Sequence, residues 1–148
     1  MKIRKQIVGI VIIIFVMIAT GMSASAEGVQ LSAAEENLIC RFAEAACGED
    51  APLAAKLGAV NVILNRLADS SFPDTVAQVI FEGEFECVRN GSVNEAFSDS
   101  GAVSAADALY LALSGHDPTG GATFFAEKDD NFSGFSITFE AGRFVFGK

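Results

Sequence analysis

Two apolar stripes with helical spacing occupy residues 33–69, and they constrain the fold more than any other feature of the sequence. Ser32 followed by Glu35 has the pattern of a capping box, which marks the start of a helix. Apolar residues then recur at the three- and four-residue spacing of one helix face, and Gly48 is a typical stop. We therefore predict a first helix over about residues 33–47.

A second stripe follows Pro52, a residue that the first turn of a helix tolerates. Leucine and valine side chains continue at helical spacing and predict a second helix that ends near Asp69. Gly58 and Ala59 fall inside it, and such small residues permit the close approach of another helix. Two packed helices are therefore expected.

The later part of the chain changes from helical to β-rich patterns. Residues 76–80 predict a short third helix, and residues 103–114 predict an alanine-rich fourth helix. Residues 82–101 between them sustain no period, which predicts a long surface loop. Three short β-rich runs follow at 122–125, 136–139 and 143–146, the last two as a hairpin. The pattern indicates an α+β domain, mostly helical, with a small C-terminal antiparallel β element.

The first 26 residues have the parts of a secretory signal peptide. A cationic start is followed by about thirteen mostly apolar residues and the small-x-small pattern Ala24-Ser25-Ala26. The apolar run is shorter than the roughly 18 to 20 residues that a spanning helix needs. Cleavage before Glu27 is therefore favoured over an uncleaved anchor, and we expect a secreted, extracytoplasmic protein.

Cleavage makes the chain strongly acidic. Residues 1–26 hold three of the ten basic residues and none of the nineteen acidic ones, so seven basic and nineteen acidic side chains remain, a formal net charge of −12. Such a chain repels nucleic acid and anionic membranes. A neutral or zwitterionic extracellular substrate fits better.

The cysteines and the histidine offer little for catalysis. Three cysteines are an odd number, so at least one is free or pairs outside the monomer. Cys40 and Cys47 would lie about 10 Å apart on one helix, beyond disulfide reach. An intramolecular bridge would therefore use Cys87, and no bridge at all is the alternative.

Metal and thiol chemistry are disfavoured by the same residues. His116 is the only histidine, whereas a zinc site needs several close ligands. A thiol hydrolase would pair Cys87 with His116, and neither lies in a recognisable nucleophile turn. No dinucleotide or phosphate-binding loop is present. We therefore predict no metal and no cofactor.

Carboxylates remain, and Glu44 is the best placed. It lies in the apolar helical phrase of residues 41–45, where an ionised carboxylate costs free energy unless something pairs with it or uses it. The alternative is an ordinary surface glutamate next to Arg41. Glu49, beyond the helix stop, is either a second carboxylate of the site or a solvated loop residue.

Six phrases of the sequence follow one another in an informative order. They are Phe42-Ala43-Glu44-Ala45 with Gly48-Glu49, Val62-Ile63-Leu64-Asn65-Arg66, Phe72-Pro73-Asp74-Thr75 with Val79-Ile80, Glu84-Phe85-Glu86-Cys87-Val88, Asp117-Pro118-Thr119-Gly120-Gly121-Ala122 with Phe124-Phe125, and Arg143-Phe144-Val145-Phe146-Gly147-Lys148. Together they resemble the catalytic domain of cell wall hydrolases of the spore cortex-lytic type, the SleB and CwlJ group, which cleave peptidoglycan glycan strands. The resemblance implies a catalytic domain over residues 36–148, after a short linker at 27–35.

The resemblance also implies a fold, a mechanism and partners. The fold would be similar to lysozyme and lytic transglycosylases, with a groove for the glycan. The family's catalytic glutamate falls on Glu44, which would act alone as acid and then base. The implied partner is the peptidoglycan glycan strand. The chain is expected to be a monomer, and an accessory wall or spore protein is a further partner compatible with the resemblance. The alternative function is a non-catalytic wall-binding or regulatory module with a degenerate site.

The substrate groove that the resemblance implies consists of polar and aromatic residues that fall in the matching phrases. They are Asn65, Arg66, Phe85, Thr119, Phe124 and Phe125. Asn65 and Arg66 have a competing interpretation as structural support, and the phenylalanines one as core residues.

The phrase around Glu44 departs from the family pattern. Members usually read Ala-Glu-Ala-Arg-Gly-Glu, whereas Ala46-Cys47 stands here in place of the arginine. The extra residue moves Glu49 from four to five positions after Glu44, about 100° around a helix. A cooperating role for Glu49 is therefore in doubt.

Overall fold

The computed structural model describes residues 28–95, 99–128 and 134–148, so the predicted signal peptide lies outside the described residues. Five helices precede three strands in this part of the chain. They are α1 (Ala33–Cys47), α2 (Leu53–Ala68), α3 (Val76–Phe81), α4 (Glu86–Arg89), α5 (Asp99–Leu113), β1 (Phe124–Glu127), β2 (Ile137–Ala141) and β3 (Phe144–Gly147). The predicted α+β class, mostly helical with a small C-terminal antiparallel element, is confirmed. None of the described helices has the length and apolar character to cross a membrane.

Helix α1 begins and ends as its sequence predicts. The Ser32 hydroxyl accepts a hydrogen bond from the Glu35 backbone N–H, and the Glu35 carboxylate accepts one from the Ser32 N–H at 2.8 Å. This capping box satisfies two backbone donors that the first turn leaves without helical partners. At the other end Gly48 adopts φ 89°, and its N–H donates to the Glu44 carbonyl. The helix therefore holds Glu44 in its last turn.

Helix α2 is the centre of the molecule. It packs against α1, α3, α5 and two strands, and every residue from 55 to 63 is buried. Gly58 lies directly against the sheet, because a Cβ placed on it would lie 2.5 Å from the Phe146 ring. The small residues of α2 thus admit the sheet as well as neighbouring helices.

The three strands form one antiparallel sheet in the order β1-β3-β2. Strands β2 and β3 form the predicted hairpin, with Gly142 at φ 57° in its turn. The central strand β3 is buried, and its Phe146 pairs with Phe125 of β1 and lies against α2. The sheet therefore closes one side of the helical body.

The prediction of a long loop over residues 82–101 is partly wrong. Helix α4 and a 3-10 turn at Ser92–Asn94 lie within it, and α5 begins at Asp99 rather than at Val103. Cys87 and Val93 are the buried anchors of the two short elements. One turn of helix is too short to show a period, and Ser100 with Gly101 adds no apolar stripe to the start of α5.

Asp117 organises the turn between α5 and β1. Its carboxylate accepts hydrogen bonds from the Thr119 N–H and hydroxyl, the Gly121 N–H and the Asn65 amide, at 2.6 to 3.1 Å. Burial is the largest single contribution and raises the pKa of Asp117. The four hydrogen bonds together lower this pKa by more than burial raises it. The net pKa lies below the ordinary value.

Replacing Asp117 by Asn is expected to reduce the free energy of unfolding at pH 7 by about 1–3 kcal/mol, because the amide nitrogen cannot accept these bonds. A depressed pKa in the folded state means that the carboxylate's contribution is complete above the unfolded pKa of about 4. It is lost as the pH falls through the folded value. Urea unfolding should therefore show a smaller difference between the two proteins at pH 3 than at pH 7. An equal difference at both pH values would contradict this explanation.

Candidate active site

Glu44 forms an ion pair with a fully buried lysine. Lys56 Nζ, from α2, lies 2.9 Å from Glu44 Oε2, and the two side chains are 0% and 11% exposed. The same ammonium donates to the Glu49 backbone carbonyl at 3.1 Å. The pair compensates the desolvation that an isolated carboxylate or ammonium would suffer here. Glu44 is therefore not the exposed surface glutamate of the alternative interpretation.

The first turn of α5 lies against the Glu44 carboxylate. A Cβ placed on Gly101 would overlap Glu44 Oε1, so only glycine permits this approach. Beside it, the Ser100 hydroxyl donates to Glu49 Oε1 at 2.9 Å. Glu49 is exposed, and its backbone carbonyl accepts a hydrogen bond from Lys56. The structure thus brings Glu44 and Glu49 to the same region, around Lys56 and the start of α5.

A separate cavity of about 760 Å³ lies between α1, the segment 83–90 and the sheet. Four of the residues predicted for the groove line it: Arg66, Phe85, Phe124 and Phe125. Ala45 and Ala46, which follow Glu44 on α1, also line it, whereas Glu44, Asn65 and Thr119 do not. The predicted site residues therefore fall into three groups: Glu44 with Glu49, the four cavity residues, and Asn65 with Thr119.

The cavity's aromatic walls differ in exposure. Phe85 is buried, contacts Phe42 edge-on at a centroid distance of 4.7 Å and stacks on Phe125 at 5.8 Å. Phe124 is 41% exposed and stacks on Phe135 at 5.7 Å. Phe124 is thus the most exposed of these rings, while Phe85 and Phe125 pack in or against the core.

Arg66 joins the helical body to the sheet. Its Nε donates to the Thr123 carbonyl at 2.8 Å, and its guanidinium lies 4.6 Å from the ring centroid of Phe85 and 5.2 Å from that of Phe124. Burial lowers the pKa of this guanidinium. These contacts hold the cavity wall in place.

The side chains of Asn65 and Thr119 form hydrogen bonds with other residues and do not line the cavity. The Asn65 amide donates to the Asp117 carboxylate at 3.1 Å and to the Ala122 carbonyl at 2.9 Å. Thr119 is fully buried, and its hydroxyl accepts from the Ala122 N–H. Both residues fix the turn that leads into β1.

The rim of the cavity carries charges of both signs. Arg143 pairs with Glu127 at 3.3 Å, and Arg89 pairs with Glu86 within α4. Glu84 also lines the cavity and adopts φ 60°, the left-handed region that favours glycine. An uncharged polar ligand with a flat apolar face suits aromatic walls and a charge-balanced rim.

The structure does not support a cysteine nucleophile, either near Glu44 or in the cavity. Cys40, Cys47 and Cys87 are free thiols, which is the second of the two alternatives left by the sequence. Burial raises the pKa of Cys47 to about 12 and that of Cys87 to about 11. Buried thiols of this kind are poor nucleophiles. Within the described residues no three His, Cys, Asp or Glu side chains are arranged to hold a metal ion.

Sequence reasoning missed Lys56, Phe135 and Arg143. Lys56 had a usable signal, because it is the only charged residue between Pro52 and Arg66 in a helix of otherwise apolar, small or amide side chains. Phe135 and Arg143 had none, since both reach the cavity through the tertiary arrangement of the hairpin.

The helical body, the three-stranded sheet on one side and a mostly buried glutamate at the end of the first helix define a lysozyme-like domain. Residues 50–146 match the model of the family described as Cell Wall Hydrolase, and the chain belongs to this family. The match begins just after Glu49, so both candidate carboxylates lie outside it. Membership therefore rests on α2, the later helices and the sheet.

Curated relatives are spore cortex-lytic enzymes. The chain is 37% identical over 103 residues to that of Halalkalibacterium halodurans, covering 68% of this chain and 30% of the relative. It is 36% identical over 106 residues to that of Oceanobacillus iheyensis, covering 70% and 37%. The chain thus spans about a third of the length of these relatives.

Solved structures extend the likeness over a whole domain. The catalytic domain of the Bacillus cereus SleB protein superposes with a TM-score of 0.65 at 25% identity, covering 85% of this chain and all of that one. The catalytic domain of the germination-specific lytic transglycosylase SleB from Bacillus anthracis gives 0.66 at 26% identity, covering 81% and 98%. The predicted family resemblance and fold are confirmed.

Proposed function

We propose that this chain is an exported enzyme that cleaves the glycan strands of peptidoglycan, in the cell wall or the spore cortex. Its catalytic domain would comprise residues 36–148, after the signal peptide at 1–26 and a linker at 27–35. The observation that carries the proposal is the match over 98–100% of two SleB catalytic domains, one of them titled a lytic transglycosylase. Family membership supports the same substrate class.

Glu44 is the proposed catalytic acid and base. In its protonated form it would first donate a proton to the leaving glycosidic oxygen next to a muramic residue, which leaves the carboxylate that pairs with Lys56. It would then take the proton of the C6 hydroxyl as that oxygen closes onto C1, giving a 1,6-anhydro end. The glutamate returns to its starting state and no water is consumed, so one carboxylate suffices, unlike the pair in hydrolysing glycosidases. Glu49 is not needed for this sequence.

The 760 Å³ cavity is the proposed subsite for the strand beside Glu44. Phe124 would stack on a sugar face, and Arg66, Phe85 and Phe125 would form the wall behind it. Ala45 and Ala46 connect the cavity to the last turn of α1. A glycan bound along the sheet would thus reach the region of Glu44.

A second candidate, a non-catalytic wall-binding or regulatory module, is favoured by one observation. The Glu44 carboxylate is 11% exposed, pairs with Lys56, and does not line the cavity. In this alternative the pair is structural and the cavity only binds glycan.

Purified residues 27–148 incubated with insoluble sacculi distinguish the two candidates. An enzyme releases soluble muropeptides, and their amount grows with time. A binding module sediments with the sacculi and leaves the supernatant free of fragments. Size-exclusion chromatography of the purified protein without sacculi tests the predicted monomer.

A further inference from the structure

Lys56 is a charged residue in the most apolar part of the molecule. It is 0% exposed and stands within the buried run of residues 55–63 at the centre of α2. Replacing both partners of a buried ion pair by apolar side chains of similar volume is often neutral or stabilising, because burying two charges costs desolvation free energy. A buried ion pair that stability does not require calls for another role.

The position of its ammonium suggests that role. Lys56 Nζ donates to Glu44 Oε2 at 2.9 Å and to the Glu49 carbonyl at 3.1 Å. The first bond holds one carboxylate oxygen, and the second ties the ammonium to the backbone just after α1. The lysine therefore links the carboxylate to a fixed point of the main chain.

Gly101 lies against the same carboxylate. A Cβ placed on Gly101 would overlap the Glu44 carboxylate, so its position requires glycine there. The Glu44 carboxylate is thus contacted by an ammonium from α2 and by the first turn of α5. Catalytic groups have to be held within about 0.5 Å of the productive position, and two such contacts provide that restraint.

We propose that Lys56 is a positioning residue for Glu44, an inference that rests on the proposed function. Lys56 keeps its own proton throughout the reaction. When Glu44 gives its proton to the leaving oxygen, a negative charge develops on the carboxylate, and the ammonium 2.9 Å away stabilises that charge in a buried setting. The carboxylate charge is absent while Glu44 holds its proton and develops in the transition state, so the effect of the ammonium belongs to kcat rather than to substrate binding.

The test uses Lys56→Met, which keeps the length and apolar stem of the side chain, and Lys56→Gln, which keeps an N–H donor without the charge. We expect Lys56→Met to lower kcat for muropeptide release at least tenfold, with KM changed less than about twofold. Lys56→Gln should retain a larger kcat than Lys56→Met, because its amide can still hold Oε2. A merely structural lysine would not produce this order or this split between kcat and KM.

Folding is controlled with the double variant Glu44→Gln/Lys56→Met, which removes both charges together. Its melting temperature should exceed that of Lys56→Met, while it stays inactive. If the wild type is active and both Lys56 variants fold with an unchanged kcat, the positioning role is overturned and the proposed function stays intact. Wild-type activity in the Glu44→Gln/Lys56→Met protein would remove Glu44 from the mechanism and the positioning role with it. An inactive wild type overturns the proposed function and the positioning role together.

Discussion

Glu44→Gln is expected to lower the rate of muropeptide release by about 10²–10⁴-fold, the usual contribution of a general acid and base. The amide has nearly the shape of the carboxyl group but transfers no proton. The measurement is the initial rate of soluble muropeptide release from sacculi at equal concentrations of folded protein.

The control for this substitution is Glu36→Gln, the same change at an exposed position two turns earlier on α1. It should keep the wild-type rate. Glu49→Gln tests the second carboxylate and should cost less than about tenfold, because a general base or acid would cost more. Equal rates for the wild type and Glu44→Gln would remove Glu44 from the mechanism.

Loss of the Phe146 ring is expected to have the largest effect on stability. Phe146 is fully buried, contacts Phe125 and Phe139, and forms the contact between β3 and Gly58 of α2. Phe146→Ala should reduce the free energy of unfolding by about 3–5 kcal/mol, the range for such truncations in a core. That is a large part of the 5–15 kcal/mol typical of whole domains. Urea unfolding followed by far-UV circular dichroism measures it.

Gly58→Ala provides a matched test of the same contact. In the wild type the new methyl group would meet the Phe146 ring at 2.5 Å and should destabilise the protein by about 1–3 kcal/mol. In the Phe146→Ala background the ring is gone, and the higher helix propensity of alanine should stabilise by up to about 1 kcal/mol. If the effects of the two substitutions add, Phe146 does not stabilise the protein through its contact with Gly58 of α2.

Local signals in the sequence were enough for most of the fold. The capping box at Ser32, the stop at Gly48 and the stripe after Pro52 depend on neighbours within one or two turns, and the structure has both helices as predicted. The hairpin of β2 and β3 was likewise visible from its turn. Helix α4 and the start of α5 were missed because their burial comes from distant contacts and not from a local period.

The candidate site was less predictable for the same reason. The cost of a charge in an apolar helix pointed to Glu44, and it would have pointed to Lys56 by the same physics. Nothing local indicates that these two residues meet, because their contact depends on how α1 packs against α2. The stacking of Phe124 on Phe135 and the roles of Asn65 and Thr119 in the Asp117 turn are also tertiary.

The buried pair of Glu44 and Lys56 separates the two candidate functions in chemical terms. In an enzyme the ammonium stabilises a carboxylate that forms during turnover, so changing either residue affects the rate. In a binding module the pair only holds α1 to α2, so changing both together restores the protein fully. The kinetic and stability measurements on the same variants therefore discriminate between these roles.

Mass spectrometry of the fragments released from sacculi tests the central claim most directly. A lytic transglycosylase in which Glu44 acts alone leaves 1,6-anhydro muramic ends, which are lighter by one water than the reducing ends of a hydrolase. We predict that residues 27–148 release anhydro-ended muropeptides and that Glu44→Gln releases them about 10²–10⁴-fold more slowly. Products with reducing ends, or anhydro products in equal amount from the variant, would contradict the account.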